Sequence, residues 1–407
     1  TRSSIYSSNH FRLTSWLFFM SLSLPLWPSF TKAEADKVSK VLLSNKVNYW
    51  TGTEGRAFEK EFAEFADSEY AIAVANGTVA LDLALYALGI GEGDEVVVTP
   101  RTFIASISSI VNAGAIPVFA DVDLDSQNIS PETVRKVLSP KTKAIVCVHL
   151  AGWPCDMDGF MTLADEEGLK VIEDCAQAHG AKYKGRPVGS IGHAGAWSFC
   201  QDKIMTTGGE GGMVTTNDKD FWQRMWSYKD HGKSYDAVYL KAHPPGFRWV
   251  HESFGTNWRL TEMQSAIGRI QLQRMSEWSR RRSENAAAIS EVCNQYDFLR
   301  VPNLPSDISH AFYKFYAFVV PENLPSGWSR DRIIEALADG GVPCMQGSCS
   351  EVYLEKAFDG HPSKPAERLP VARFLGETSL MFMVHPTIES GHLTGYCDAI
   401  DRVLSSI

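Results

Sequence analysis

The feature that most limits how this chain folds is a series of short apolar runs that lack polar alternation. YAIAVA (70–75), EVVVT (95–99), PVFAD (117–121), AIVCVH (144–149) and KVIED (170–174) are such runs. Between them lie stretches with helical spacing at 79–88, 104–113, 131–137 and 159–168. A strand with one wet face alternates apolar and polar residues. These do not, so they belong in a sheet covered on both faces. Strand–helix–strand repetition makes that sheet largely parallel, because parallel neighbours need a crossover between them. The expectation is an α/β fold with a mostly parallel central sheet and helices on both faces. GMVTT (212–216) reads as an antiparallel addition.

The flanks read differently. Residues 30–65 are helical in pattern, with Thr31 as a cap, Glu34 three residues on, and a loop at 48–53. One long helix is expected over 260–278, continuing through the basic cluster at 280–282 towards residue 292. Past about residue 295 the texture turns to Pro-containing loops, a strand at 313–320, a helix at 331–338 and a terminal helix, which is the pattern of a smaller α+β unit. The division expected is an extension over 1–29 outside the native fold, a large domain over 30–265, and a linking helix with a small C-terminal domain over 266–407. The apolar stretch 13–27 is too short and too broken by Ser and Pro to span a membrane. It resembles the core of a signal peptide without a convincing cleavage site. With Met20 inside it, the expected start of the native protein is near Met20, with 1–19 upstream sequence.

Composition enters mainly through what it excludes. A formal net charge of −9, with no basic cluster interleaved with aromatics, argues against a nucleic-acid partner. The eight cysteines are scattered and show no zinc-ligand spacing, so no metal site is expected, and reduced thiols in a cytoplasmic protein are the plain reading.

Chemistry concentrates in 171–216. Asp174 follows an apolar run, Ser198 and Phe199 form a Ser-Phe pair, Lys203 lies five residues beyond Ser198, and a glycine-rich turn spans 208–212. An amine for a Schiff base, an anion for a pyridine nitrogen and donors for a phosphate are what pyridoxal phosphate (PLP) requires. Upstream, the strand at 70–75 ends in Asn76-Gly77-Thr78 before a helix. Free backbone N–H groups and the helix dipole there face one point and favour an anion.

The runs NGTVALDLAL, HLAGWPCDMD, EDCAQAHGA, SFCQDKIMTTGGEGG and GTNWRLTEMQSAIGRIQL together resemble the DegT/DnrJ/EryC1/StrS family. Its members are fold-type-I, PLP-dependent aminotransferases of nucleotide-linked keto sugars. The resemblance spans about residue 30 to the C-terminus. It implies Lys203 as the Schiff-base and proton-shuttling lysine and Asp174 as the partner of the pyridine nitrogen, with Gln177 near the ring oxygen. It implies phosphate contacts from Gly77, Thr78 and Ser198, with Asn257 reaching over from a partner subunit, and Phe103 stacked on the ring. Trp258, Arg259 and His385 fall where relatives approach the sugar, and the GSCSE run (347–351) is a candidate substrate loop.

The implied reaction is ping-pong transfer of an amino group, with L-glutamate as donor and a nucleotide-diphosphate keto sugar as acceptor. A 4-keto-6-deoxy sugar is favoured, the implied assembly is a homodimer, and the product feeds surface polysaccharide. Two departures stand out: an extra glycine in TTGGEGG, and Thr256 and Trp258 where relatives often carry tyrosines. The alternatives are a 3-keto sugar aminotransferase and a non-catalytic PLP-binding sensor, which would tolerate loss of Lys203 and Asp174. A dehydratase of the family would typically replace the lysine with histidine. A nicotinamide dehydrogenase would need a GxGxxG after the first strand, and none is there.

Overall fold

The computed structural model describes residues 24–407. The reading of 1–19 as upstream sequence therefore lies outside the described residues. The centre of the fold is a seven-stranded sheet formed by β1 (Tyr70–Val74), β2 (Glu95–Val98), β3 (Ile116–Phe119), β4 (Thr142–Val148), β5 (Lys170–Asp174), β6 (Ala194–Ser198) and β7 (Gly212–Thr216). Its order is β1-β7-β6-β5-β4-β2-β3. Strands β3, β2, β4, β5 and β6 are parallel. Strand β7 runs antiparallel to both β6 and β1, as the sequence suggested. Two reversals restore the direction, so β1 points the same way as the parallel set. The C-terminal ends of β1 to β6 thus emerge along one edge, where open α/β sheets bind ligands.

Helices α1 (Lys32–Leu43) and α2 (Glu54–Ala66) precede the sheet. At α1 the expected capping box is present, with the Thr31 side chain on the Ala33 amide and Glu34 reaching back. Helices α3 (Gly77–Ala87) and α4 (Ala105–Asn112) cover one face of the sheet, and α5 (Met157–Glu167) the other. The strand residues sort accordingly. Val96, Val98 and Ile172 pack with α3 and α4, while Val97, Ile145 and Val171 pack with Phe160 and Leu163 of α5. Both faces are dry, hence the missing alternation. Helix α6 (Lys219–Tyr228) follows β7.

The single long helix expected from residue 260 is in fact two, α7 (Glu262–Leu272) and α8 (Met275–Cys293). At the break the Arg274 amide bonds to the Gln271 carbonyl, and the Arg274 guanidinium turns to Glu34 and Thr31 at the cap of α1. Leu272, Met275 and Trp278 still face one cluster, so the apolar period runs through the break and hides it.

A four-stranded antiparallel sheet of β8 (Leu299–Arg300), β9 (Phe315–Val319), β10 (Cys344–Met345) and β11 (Ser379–Phe382) follows, in the order β8-β9-β11-β10. Phe315, Ala317 and Val319 pack with α8, α9 (Arg330–Asp339) and the terminal helix α11 (Ser390–Leu404). Tyr316 and Phe318 of the same strand, with α10 (Pro370–Thr378), join the core of the large sheet. Strand alternation thus fastens the two sheets together.

The N-terminal boundary differs from expectation. Residues 24–29, assigned above to an extension outside the fold, include a tryptophan packed behind Lys203. The Trp27 indole donates to the Lys203 carbonyl at 2.9 Å and packs edge-on against Trp278 and face-on against His385. The Arg282 guanidinium covers the ring at 5.1 Å. Every partner lies more than a hundred residues away in sequence, so an apolar run read locally had nothing to pack against. Among the described residues no helix is long and apolar enough to cross a membrane.

Candidate active site

The C-terminal sheet edge opens into a cavity of about 650 Å³ lined by Gly77, Thr78, Phe103, Asp174, Gln177, Ser198 and Lys203, among others. Seven of the residues singled out from sequence meet there. Five of them reach it as strand ends or the turns after them, because parallel strands deliver their termini to one edge.

One end of the cavity is built to take an anion. Asn76 caps α3 by accepting the Val79 amide, leaving the first-turn amides of Gly77 and Thr78 without partners inside the helix. A Cβ on Gly77 would lie 2.6 Å from the Ser198 Cβ, and one on Gly212 would lie 2.3 Å from the Asn76 carbonyl oxygen. Only glycine lets β6, β7 and the start of α3 close to this distance. Ser198 thus stands beside the helix N-terminus, and hydroxyl, amides and dipole converge on one point.

At the other end, Asp174 is buried and accepts two hydrogen bonds. Ser106 of α4 donates to Oδ2 at 2.7 Å and the Ala176 amide donates to Oδ1 at 3.1 Å. Thr102 hydrogen-bonds Ser106 in turn. Between the two ends, Gln177 accepts the Ala151 amide through Oε1 at 2.8 Å, which leaves its NH₂ free to donate. Phe103 is 68% exposed on the wall, available as a flat apolar surface. Lys203 enters from the loop after β6, its Nζ 5.0 Å from the centre of the Tyr313 ring. Tyr313 hydrogen-bonds Asp202. The glycine-rich turn that follows has Gly208 and Gly209 at φ of +90° and +126°, a backbone that other residues rarely adopt.

This donor set suits a ligand with a phosphate at one end, a protonated ring nitrogen at the other and a carbonyl within reach of an amine. PLP has that form. A second cavity, about 520 Å³, shares Thr102, Phe103, Gln177, Asp202 and Lys203 with the first and extends to Lys314, Met383 and the 347–349 segment of the GSCSE run.

The remaining sequence candidates lie apart from both cavities in the single chain. Asn257 is exposed. Arg259 pairs with Asp230 at 2.5 Å, and Trp258 packs edge-on against Tyr228. His385 is buried against Trp27, hydrogen-bonded to Thr387. Burial, with Arg282 and Lys314 nearby, lowers its pKa to about 3, so it is neutral. Sequence reasoning missed Ser106, Asp202, Tyr313 and Lys314. Ser106 sits in a plain apolar helix pattern, and the others gain meaning only beside Lys203.

The chain matches the model of the DegT/DnrJ/EryC1/StrS aminotransferase family over residues 28–401. It is 35% identical to GDP-perosamine synthase of Escherichia coli O157:H7, over 93% of this chain and 97% of that protein. It is 34% identical to dTDP-3-amino-3,4,6-trideoxy-alpha-D-glucose transaminase of Streptomyces venezuelae, over 91% and 92%. Among solved structures, the aminotransferase from Psychrobacter cryohalolentis superposes with a TM-score of 0.93 at 65% identity, covering 95% of this chain and all of that one. The fold is that of the fold-type-I PLP-dependent aminotransferases. From the first motif to the last strand end, then, this chain belongs to the DegT/DnrJ/EryC1/StrS aminotransferase family.

Proposed function

We propose that the protein binds PLP and moves an amino group from L-glutamate to a nucleotide-linked keto sugar, with C4 of a 4-keto-6-deoxy sugar as the acceptor position. The observation that carries this is the meeting of Lys203, Asp174, Gln177, Ser198 and the Gly77–Thr78 turn around one cavity. The printed names of the relatives, a perosamine synthase and an amino-sugar transaminase, support the substrate class. PLP supplies an electron sink for a carbanion at the amino-bearing carbon. The chain's own residues do the rest. The α3 N-terminus, Thr78 and Ser198 hold the phosphate, and Asp174, kept in place by Ser106, faces the ring nitrogen. Gln177 donates to the ring oxygen, and Phe103 covers one face and excludes water. Lys203 would take the proton from, or return it to, the amino-bearing carbon of the substrate.

In this reading residues 30–265 bind the cofactor and residues 266–407 wall the substrate cavity, in a cytoplasmic enzyme. A homodimer supplies Asn257, Trp258 and Arg259 to the neighbouring site, and His385 backs Trp27 and Lys203. Asn257 is exposed in the single chain, and the segment leading up to it carries Trp249 and Phe254, which are 84% and 98% exposed, as a surface covered by a second copy would be.

The test is a half-reaction by absorbance. Holoenzyme given glutamate converts from the visible lysine-bound form of PLP to the pyridoxamine form, and one member of a panel of 4-keto and 3-keto nucleotide sugars reverses the change. Lys203→Ala loses both steps by at least the about 10²- to 10⁴-fold that a positioned acid–base group contributes. A folded, PLP-supplied protein without the visible band would refute the proposal in favour of a non-catalytic role.

A further inference from the structure

We infer that Lys314, a residue outside every motif singled out above, is an anion contact for the substrate. Its ammonium takes a carboxylate or phosphate oxygen a few bonds from the carbon that reacts at Lys203. The inference rests on the transaminase reading above and deepens it.

Lys314 precedes β9 and lines the second cavity, the one that shares Lys203, Asp202 and Gln177 with the first. Its Nζ lies 5.0 Å from the centre of the Tyr313 ring, the same distance as that of Lys203, so the two nitrogens are at most about 10 Å apart. That is the span of one small substrate. An ammonium has three protons to donate. Among the described residues the one hydrogen-bond acceptor that meets this ammonium is the Met383 thioether, at 3.1 Å, a weak one.

The neighbouring charges leave room for an anion. Arg282 is buried, spends Nη1 on the Phe312 and Tyr313 carbonyls and is covered by Trp27. Asp202 lies close enough for its charge to act on both lysines, and it is hydrogen-bonded to Tyr313. Glu355 also lines the cavity, and among the described residues no ion pair joins it to Lys314. Two lysines and two acids line this cavity, and Lys314 is the lining lysine that meets only a thioether; Arg282 also keeps Nε and Nη2 unpaired but is not among the lining residues. Burial, with Arg282 and Lys203 close by, lowers the Lys314 pKa to about 8, although Asp202 acts the other way. A bound anion relieves that like-charge crowding.

Two anions have this chemistry, the carboxylate of the amino donor and the diphosphate of the nucleotide sugar. Dead-end probes separate them. Glutarate and inorganic pyrophosphate are titrated into PLP-loaded wild type, Lys314→Met and Lys314→Arg, with binding read from the visible cofactor band and from tryptophan fluorescence. Thermal melting and the unliganded band confirm that each variant is folded and loaded.

The expected result is that Lys314→Met weakens one probe by about 10- to 100-fold, the scale of one charged hydrogen bond. Lys314→Arg should hold the affinity within a few fold, because it restores the charge. Loss confined to glutarate identifies the donor carboxylate, and loss confined to pyrophosphate identifies the diphosphate. Wild-type affinity for both probes in Lys314→Met would overturn the inference, as would failure of wild type to bind either. Failure of the transaminase reading shows separately, as holoenzyme that never converts glutamate while these titrations still report on Lys314.

Discussion

Glu173 and Asp174 are neighbours at the end of β5, both carboxylates and both buried, yet they occupy different worlds. Strand alternation sends Asp174 to the α3–α4 face and Glu173 to the α5 face. Asp174 borders the large cavity and accepts two hydrogen bonds, one from a serine hydroxyl. Glu173 accepts four. The amides of Gly189, Ile191 and Gly192 donate at 2.6–2.9 Å, and His149 Nε2 donates at 3.0 Å. His149 accepts the Cys155 amide at Nδ1, which fixes its proton on Nε2. With Cys175, these two residues bring ligand-type atoms within 4.8 Å of one another, a metal-like spacing. The Glu173 oxygens are nevertheless filled by protein donors. A filled carboxylate is a staple for the loop before β6, and a part-filled one beside a cavity is available to a ligand.

The comparison breaks if the two positions respond alike. The largest effect expected is on stability. Glu173→Gln should cost about 3–5 kcal/mol, because it leaves several buried amides facing an NH₂ group, and denaturant melts of the apoprotein measure this. Burial alone would raise the Glu173 pKa, but His149 and the Gly189 and Gly192 amides outweigh it and hold it below the usual carboxylate range. The folded value is therefore lower than the unfolded one of about 4.3, and the stabilisation is present above that pH and lost as pH falls through the folded value. The gap in stability between wild type and Glu173→Gln should narrow in acid. A gap that widened below pH 4 would contradict this.

Asp174→Asn should act the other way round, keeping a near wild-type melt while transamination falls on the order of 10²-fold, the scale of one lost preorganised electrostatic contact. Equal loss of stability in both variants would reduce Asp174 to a second staple. Ser106→Ala sharpens the contrast further. Removing the hydroxyl on Oδ2 should cost about 1 kcal/mol and lower the half-reaction rate several fold, in proportion to how far Asp174 drifts. The smallest effect is expected at Trp27→Phe, which keeps an aromatic ring but removes the indole N–H and its bond to the Lys203 carbonyl. It should cost about 1 kcal/mol or less in a thermal melt and leave the cofactor content unchanged.

The same pair shows what could be read in advance. The apolar run before Asp174, the Asn-Gly-Thr turn and the spacing of Ser198 and Lys203 are local signals, and the sheet, its direction and the strand-end residues were legible from them. Residue order alone also put Glu173 and Asp174 on opposite faces, since the period of a strand is two. What each face contained was not legible. That Glu173 meets three amides of a loop sixteen to nineteen residues on, and Asp174 a serine from α4, depends on how separate elements pack.

The break between α7 and α8, the slot that holds Trp27 and the placing of Lys314 beside Lys203 are of the same kind. The sequence by itself determined the α/β architecture, the sheet edge that carries the cavity and a lysine that lines it, because hydrophobic period and backbone geometry act over a few residues. Only the tertiary structure decided which side chains are filled and which are left open. Hydrogen-bond saturation and the electrostatics of a cavity are sums over partners that separate elements bring together, well beyond the few residues over which a local pattern acts.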